Sequence, residues 1–375
     1  MRIAQIVPSL EAQYGGPSRS VKQLSRALSK TGSEVDLLTT APTAAAIRRE
    51  GSLAVHTFRR SFPQSICRSS GLALQLETSR YDVVHHHSLW LRTLHYAQSN
   101  AARSQSTPLI IAPRGMMSPW AWSHHRWRKR FAQHLIHPRA MEQAAGWHAT
   151  SDGEVKDIRS HGFKQSVCLA PNSVTPPSPA ETEESRTTWH QLCPESSTRP
   201  VALFYSRFHR KKRVLELIDL WLASAPQDWL LLMVGIPEEY SVAELKQYVA
   251  HNSGAGRVLV FSGAGLPPPY AIASLFLLPS HSENFGLVIA EAMVYGVPVV
   301  VTTSTPWAEI NHQACGWCVP WSQYPVTLSR ALAEDPASLR NRGAVAAKWM
   351  AENYSWAKSA QTLLDFYREL IALRS

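Results

Sequence analysis

The chain has 375 residues, 45% of them hydrophobic, enough for two packed cores, and no stretch of low complexity. Its longest apolar runs, VALFY and LFLLP, fall far short of the roughly 20 residues of a membrane span, and its 5 scattered cysteines, with a single Cys-x-x-Cys at Cys315 and Cys318, exclude both a disulfide scaffold and a paired-cysteine zinc site. A net charge of +10 favours anionic partners, namely nucleic acid, anionic lipid or sugar phosphates, and the first is disfavoured because no helix-turn-helix, zinc-finger or RNA-binding signature is present.

The amino terminus, MRIAQIVPSL, lacks the apolar run of a signal peptide, so the expectation is a cytoplasmic protein. Residues 2–7 read as a strand, Gly15-Gly16-Pro17 as a break, and Val21, Leu24 and Leu28 recur at helical spacing, with Pro17 suited to a first helical turn. Short apolar runs then alternate with helical patterns through VDLLTT, LAVHTF, YDVVHHH, PLIIAPRG, GWHATS and SVCLAPNSV. That rhythm predicts an α/β chain with parallel sheets and crossover helices, whose ligands sit at the carboxyl ends of the strands. Gly15, Gly16, His87 and Arg114 fall on that edge. Alternation along a strand sends His85 and His87 to one side, with His87 nearest the strand's end.

Residues 113–140 are unusual in composition. Arg126, Arg128, Lys129 and Arg130 cluster beside Trp120, Trp122 and Trp127, and Trp127, Phe131 and Leu135 form a stripe at helical spacing. Two readings stand for residues 120–135: an amphipathic surface that contacts anionic membrane, or a stripe packed on the first domain with its charges in water. Residues 175–200 are rich in Pro, Ser, Thr and Glu, which predicts an exposed connection holding at most a short helix, and hence a domain boundary.

The second half opens with a buried strand, VALFY, followed by the basic loop SRFHRKKR. Arg207 there can grip phosphate oxygens bidentately, and Lys212 can supply a point charge. Strands follow in WLLLMVG and RVLVFSG. Next comes PSHSENFGLVIAEAMVYGVPVVVT, in which a strand over residues 274–278 runs into a polar loop and a helix opened by Asn284, Phe285 and Gly286. Glu283 and Glu291 form a Glu-x7-Glu pattern. A helix start is a ready phosphate site through its unpaired N–H groups, here those of Phe285, Gly286 and Leu287, and Gly286 allows close approach of a ligand. Glu283 can accept bonds from sugar hydroxyls, and Glu291, two turns on, is placed for a ribose. Phosphate flanked by two polyols describes a nucleotide sugar. Near the carboxyl end, Ala360, Leu363, Leu364, Tyr367 and Leu370 mark a helix over about residues 356–373.

These motifs resemble family 4 glycosyltransferases, retaining enzymes of the GT-B architecture, in which two Rossmann-like domains face a central cleft. Arg207 and Lys212 match the arginine and lysine of the family's Gly-Arg-x4-Lys-Gly motif. Ser206 and Arg213 stand where the flanking glycines usually are, and Arg213 is the less comfortable of the two. Pro171-Asn172-Ser173-Val174 is similar to the Pro-Asn-Gly-Val that ends the family's first domain. Residues 305–309 and CGWCVP also match. The resemblance implies an acceptor-binding domain over 1–175, onto which the last helix packs back, and a nucleotide-sugar-binding domain over 198–350. It implies that Gly15 and Gly16 lie over the donor diphosphate and that His87 stands near the transferred sugar. The loop 263–266 takes the position where relatives read the base, but the base itself is not legible.

The activity so implied is transfer of a hexose, with retention, from a UDP- or GDP-sugar to a lipid-linked saccharide or polysaccharide of envelope, capsule or exopolysaccharide. No Asp-x-Asp metal motif stands in a suitable context, so Arg207, Lys212 and the helix N–H groups are expected to replace a cation, with no cofactor. Another sugar-nucleotide activity of the same architecture, an epimerase or phosphorylase, and a non-catalytic nucleotide-sugar-binding protein remain as alternatives.

Overall fold

A computed structural model describes residues 1–374 apart from 12, 13, 44, 105, 124–126, 128, 130 and 131, and the side chains of 133 and 134 also lie outside the description. The chain divides into two compact units, one of Met1–Ser173 with Trp356–Ser375, the other of Val174–Ser355.

The first unit is built on strands β1 (Arg2–Ile6), β2 (Glu34–Ala41), β3 (Ala46–Glu50), β4 (Leu53–Arg59), β5 (Val83–His87), β6 (Leu109–Ala112), β7 (Gly146–Ala149) and β8 (Ser166–Leu169), in the order β3-β4-β2-β1-β5-β6-β7-β8. All pairings are parallel except β3 with β4. Strand β3, AIRRE, is exposed along its length, so the sequence offers no buried alternation to announce it. The helices bury apolar stripes on the two faces of the sheet. On one side Val21, Leu24 and Leu28 pack with Leu363, Leu364 and Leu370 of the helix Trp356–Ala372, and on the other Leu72, Leu94 and Ile158 pack with Trp147.

The second unit has strands β9 (Val201–Tyr205), β10 (Leu230–Gly235), β11 (Val258–Ser262), β12 (Leu275–Leu278), β13 (Val299–Thr302) and β14 (Gly316–Val319), all parallel, in the order β11-β10-β9-β12-β13-β14. The strand order reverses between β9 and β12, and in open α/β sheets ligands collect outside the carboxyl ends of the strands at such a point. The loops leaving these two neighbours carry Arg207 to Lys212 and Glu283 to Gly286. In the first unit the corresponding reversal lies between β1 and β5, with Gly15 following β1 and His87 ending β5.

Two expectations need correction. Residues 175–200 are not an exposed connection. Pro179–Leu192 is a helix of 14 residues, closed at its start by a capping box of Ser178 and Glu181 with Pro179 in the first turn, and it belongs to the second unit. Its polar composition misleads because only one face is buried: Trp189 is wholly enclosed and donates to the Pro267 carbonyl at 2.8 Å, while Ser185 donates to the Pro268 carbonyl at 2.7 Å. The helix after β12 begins at Leu287 rather than at Asn284, since Gly286 is its left-handed N-cap, with φ 74°.

In the tryptophan-rich region, Pro119–Ser123 is a short helix and Ala132–Ile136 a π-helical turn. Arg126, Arg128, Arg130 and Phe131 lie outside the described residues. Trp127 and Leu135, the two ends of the expected stripe, are 69% and 61% exposed, whereas Trp122 turns inward against Trp90 and the ring of His161. No described helix is long and apolar enough to cross a membrane.

Candidate active site

The loop after β9 is held down by its own apolar residue. Phe208 is fully buried; its N–H donates to the Ile236 carbonyl at 3.0 Å and its carbonyl accepts from Glu239 and Tyr240. The chain passes so close to the end of β10 that a Cβ on Gly235 would lie 2.1 Å from the Ser206 carbonyl oxygen, so a side chain there is excluded. A short 3-10 turn, Arg210–Lys212, follows, capped by the His209 ring, which accepts from the Lys211 N–H at 2.9 Å. Arg213 closes the turn in the left-handed region with φ 54°, where glycine would sit without strain; its guanidinium stacks over Trp321, 4.4 Å from the ring centroid.

This turn brings Lys212 to Glu283. The two form a largely buried ion pair, with Ser280 donating to the same carboxylate oxygen at 2.6 Å. Burial works against the Glu283 charge, but the field and hydrogen bonds of Lys212, the Ser280 hydroxyl and the field of Lys211 outweigh it and hold the carboxyl below its ordinary range. Glu283 is therefore an ionised hydrogen-bond acceptor at neutral pH. Burial lowers the Lys211 ammonium, with Glu283 opposing and Lys212 and Arg207 adding to that effect. Arg207 is thus within electrostatic range of Lys211, and its described partner is Glu238 at 2.8 Å on the half-exposed rim.

Beyond Glu283 the chain runs through half-buried Asn284 and buried Phe285 to Gly286, and the helix Leu287–Val294 starts there. Its first N–H groups have no carbonyl upstream within the helix. Glu291 is buried about one turn into the helix and accepts from the Tyr270 hydroxyl at 2.8 Å, a partner that the sequence does not announce.

Residues 15–173 match the model of the glycosyl transferase 4-like domain, and residues 185–340 match that of glycosyl transferases group 1. The chain belongs to this family of glycosyltransferases. Among its relatives, the D-inositol 3-phosphate glycosyltransferase of Xylanimonas cellulosilytica is 26% identical over 401 aligned positions, covering 95% of this chain and 92% of that protein. The alpha-maltose-1-phosphate synthase of Mycolicibacterium smegmatis is 28% identical, but the match spans 46% of this chain and only about half, 49%, of the synthase. Among solved structures, Anabaena HepE in complex with UDP and glucose superposes with a TM-score of 0.75 at 18% identity, covering 98% of this chain and 100% of that one. The fold of this glycosyltransferase is accordingly GT-B.

In the first unit of the glycosyltransferase, Gly15 is the N-cap of the helix Gly16–Ser29, with φ 74°, and Pro17 sits in its first turn. His87 is enclosed, with no exposed surface. Its Nδ1 accepts from Arg114 at 2.8 Å, and its Nε2 lies 2.6 Å from the Gln5 amide oxygen. One assignment of tautomers satisfies the whole set around it: Gln5 donates to the Tyr367 hydroxyl, Tyr367 to His85 Nδ1 at 2.6 Å, His85 Nε2 to His148 Nδ1 at 3.3 Å, and His148 Nε2 to the Ala170 carbonyl at 2.8 Å. Arg114 also donates to Asn172 at 2.9 Å.

Ring nitrogens of His85, His87 and His148 lie within 4.8 Å of one another, a spacing a metal ion accepts. Each already has a hydrogen-bond partner, however, and the Arg114 guanidinium borders the group, so these residues fit a neutral polar core better than a cation site. Burial, with like charge from neighbours, drives the ring pKa values of His85 and His87 far down and that of His148 to about 3. Of this set the sequence places only His87 and Arg114 at the strand-end edge; Gln5, Tyr367 and Asn172 are 82, 280 and 85 positions from His87, and nothing local ties them to it.

Proposed function

We propose that this glycosyltransferase moves a hexose, with retention and without a metal, from a nucleoside-diphosphate sugar of the UDP type to a saccharide acceptor. The observation that carries the reading is the buried Lys212–Glu283 pair set beside the glycine-capped start of the helix Leu287–Val294, at the reversal point of the second sheet. Lys212, Arg207 and the first helical N–H groups would hold the diphosphate, Glu283 would accept from hydroxyls of the sugar, and Glu291 from the ribose.

In the reaction the bond from the anomeric carbon to the β-phosphate oxygen breaks. The acceptor hydroxyl oxygen bonds to the same face of that carbon, and its proton passes to the departing phosphate. No side chain is needed as nucleophile, and fixed positive groups at the diphosphate stabilise the charge that develops there. HepE, of the same fold, has been captured with UDP and glucose, in keeping with a UDP-type donor. The net charge of +10 and the exposed Trp127 and Leu135 support a lipid-linked or envelope polysaccharide acceptor, reached at an anionic membrane face.

The test is a titration of UDP, GDP, ADP and their nucleosides against the protein and its Arg207→Ala variant. A nucleoside diphosphate is expected to bind, and the variant to weaken it by ~1.5 to 3 kcal/mol, roughly ten- to a hundredfold, with the nucleoside unaffected. Unchanged diphosphate affinity in the variant would remove Arg207 from the phosphate site, and transfer seen only with added Mg²⁺ or Mn²⁺ would overturn the metal-free mechanism.

A further inference from the structure

The segment that follows β13 reaches back onto the phosphate-binding turn at two points. The Ser304 carbonyl accepts from the Glu283 N–H at 3.1 Å, and two residues further along the turn the indole Nε1 of Trp307 donates to the Phe285 carbonyl at 2.6 Å. Trp307 is enclosed by aromatic neighbours, with ring centroids at 5.1 Å for Phe285, 5.2 Å for Tyr354 and 6.1 Å for Trp349. Its carbonyl accepts from Ile310 at the start of the next turn, so backbone and ring are both fixed.

A trans peptide unit is planar, with its C=O and N–H pointing in opposite directions. The bond from Trp307 to the Phe285 carbonyl therefore also sets where the Gly286 N–H points: away from the buried indole. Gly286 needs such a restraint, because at φ 74° glycine has the widest conformational freedom of any residue, and this peptide would otherwise rotate at little cost. A side chain at 286 would not supply the restraint, since its Cβ would stand 2.9 Å from Ile289 Cδ1 and 3.5 Å from the indole nitrogen itself.

We propose that Trp307 is a positioning residue for the donor diphosphate: by holding the Phe285 carbonyl inward it fixes the Gly286 N–H in the direction from which that group meets the phosphate. The inference rests on the phosphate placement given above. It separates the loop's chemistry into two parts. Lys212 and Arg207 supply charge, and Trp307, which touches no substrate, supplies the aim of a backbone donor whose worth depends on direction.

The experiment uses the full chain with residue 307 altered in two ways: Trp307→Phe, and replacement of Trp307 by benzothienylalanine, which keeps the indole's size and shape but has sulfur in place of N–H. The ligand is the tightest binder among UDP, GDP and ADP, with its matching nucleoside, followed by calorimetry, and kcat and KM are measured with the corresponding sugar conjugate. Both variants are expected to lose about tenfold in diphosphate affinity and about tenfold in kcat, while the nucleoside binds as before. An equal loss for nucleoside and diphosphate would mark Trp307 as a packing residue and overturn the inference. Diphosphate affinity within twofold of the unaltered protein in the benzothienylalanine form would overturn it as well. If the unaltered protein binds the diphosphate no more tightly than the nucleoside, the phosphate placement itself fails, and that outcome is distinct from the other two.

Discussion

Lowering the pH from 7.5 to 5.5 should loosen the first unit far more than the second. His85, His86, His87 and His148 are all enclosed in that unit, and burial is the leading cause of depression in each; His86 and His148 are brought to about 3 and the other two well below the ordinary value. In the unfolded chain each titrates near 6.5. Their native pKa values are depressed, so the unfolded state takes up protons that the folded state refuses, and stability falls as pH drops below about 6.5 and goes on falling toward the native values. Between pH 7.5 and 5.5 this amounts to about 1.4 kcal/mol per histidine and ~5.5 kcal/mol for the four, against a total of roughly 5 to 15 kcal/mol for a typical domain.

Hydrogen exchange of the β5 amides, corrected for the intrinsic pH dependence of exchange, reads that quantity directly. The opening constant should rise about ten-thousandfold over the interval. His86, whose ring lies between the Thr93 hydroxyl at 2.9 Å and the Ser88 carbonyl at 3.1 Å, offers a control: His86→Asn cannot titrate and should shrink the pH dependence by about a quarter. A rise of less than about tenfold in the unaltered protein would mean that the histidines accept protons without unfolding, and the neutral hydrogen-bond chain from Arg114 to Ala170 would be wrong.

Three further substitutions, at two positions, test the second unit. Glu283→Gln should cut transfer by ~2.7 to 4 kcal/mol of transition-state stabilisation, a hundred- to a thousandfold in kcat, and should cost ~3 to 5 kcal/mol in denaturant stability, because Lys212 is left as a buried charge without a counterion; full activity or unchanged stability would refute it. Arg213→Gly exchanges the strain of a left-handed arginine, about 1 to 2 kcal/mol, for the loss of its stack on Trp321, about 1 kcal/mol, so denaturation should move by less than about 1 kcal/mol. Arg213→Ala, which keeps the strain and loses the stack, should be clearly destabilised, and equal stability of the two variants would discount the strain.

What could be read locally was read from the sequence. The runs VALFY, WLLLMVG and VVVT are buried strands because only apolar residues suit a sheet covered on both faces, and the basic loop after β9, like Glu283 and Gly286 after β12, carries the proposed phosphate chemistry on residues a few positions apart. Where one face of an element is polar, composition misled: the helix Pro179–Leu192 looked like a linker because its contribution to the core is concentrated in Trp189. Tertiary structure alone decided which distant groups satisfy one another. His87 reads as a sugar contact at the end of β5, yet in the fold both its ring nitrogens are engaged, by Arg114 and by Gln5 on the neighbouring strand β1. Glu291 gains Tyr270 because the turn before β12 and the helix after it meet in the fold, and the Phe285 carbonyl gains Trp307 because strand order lays β13 beside β12. A hydrogen bond is specified by position and direction in space, and separations of 21, 22 and 82 residues leave no periodic trace along the chain.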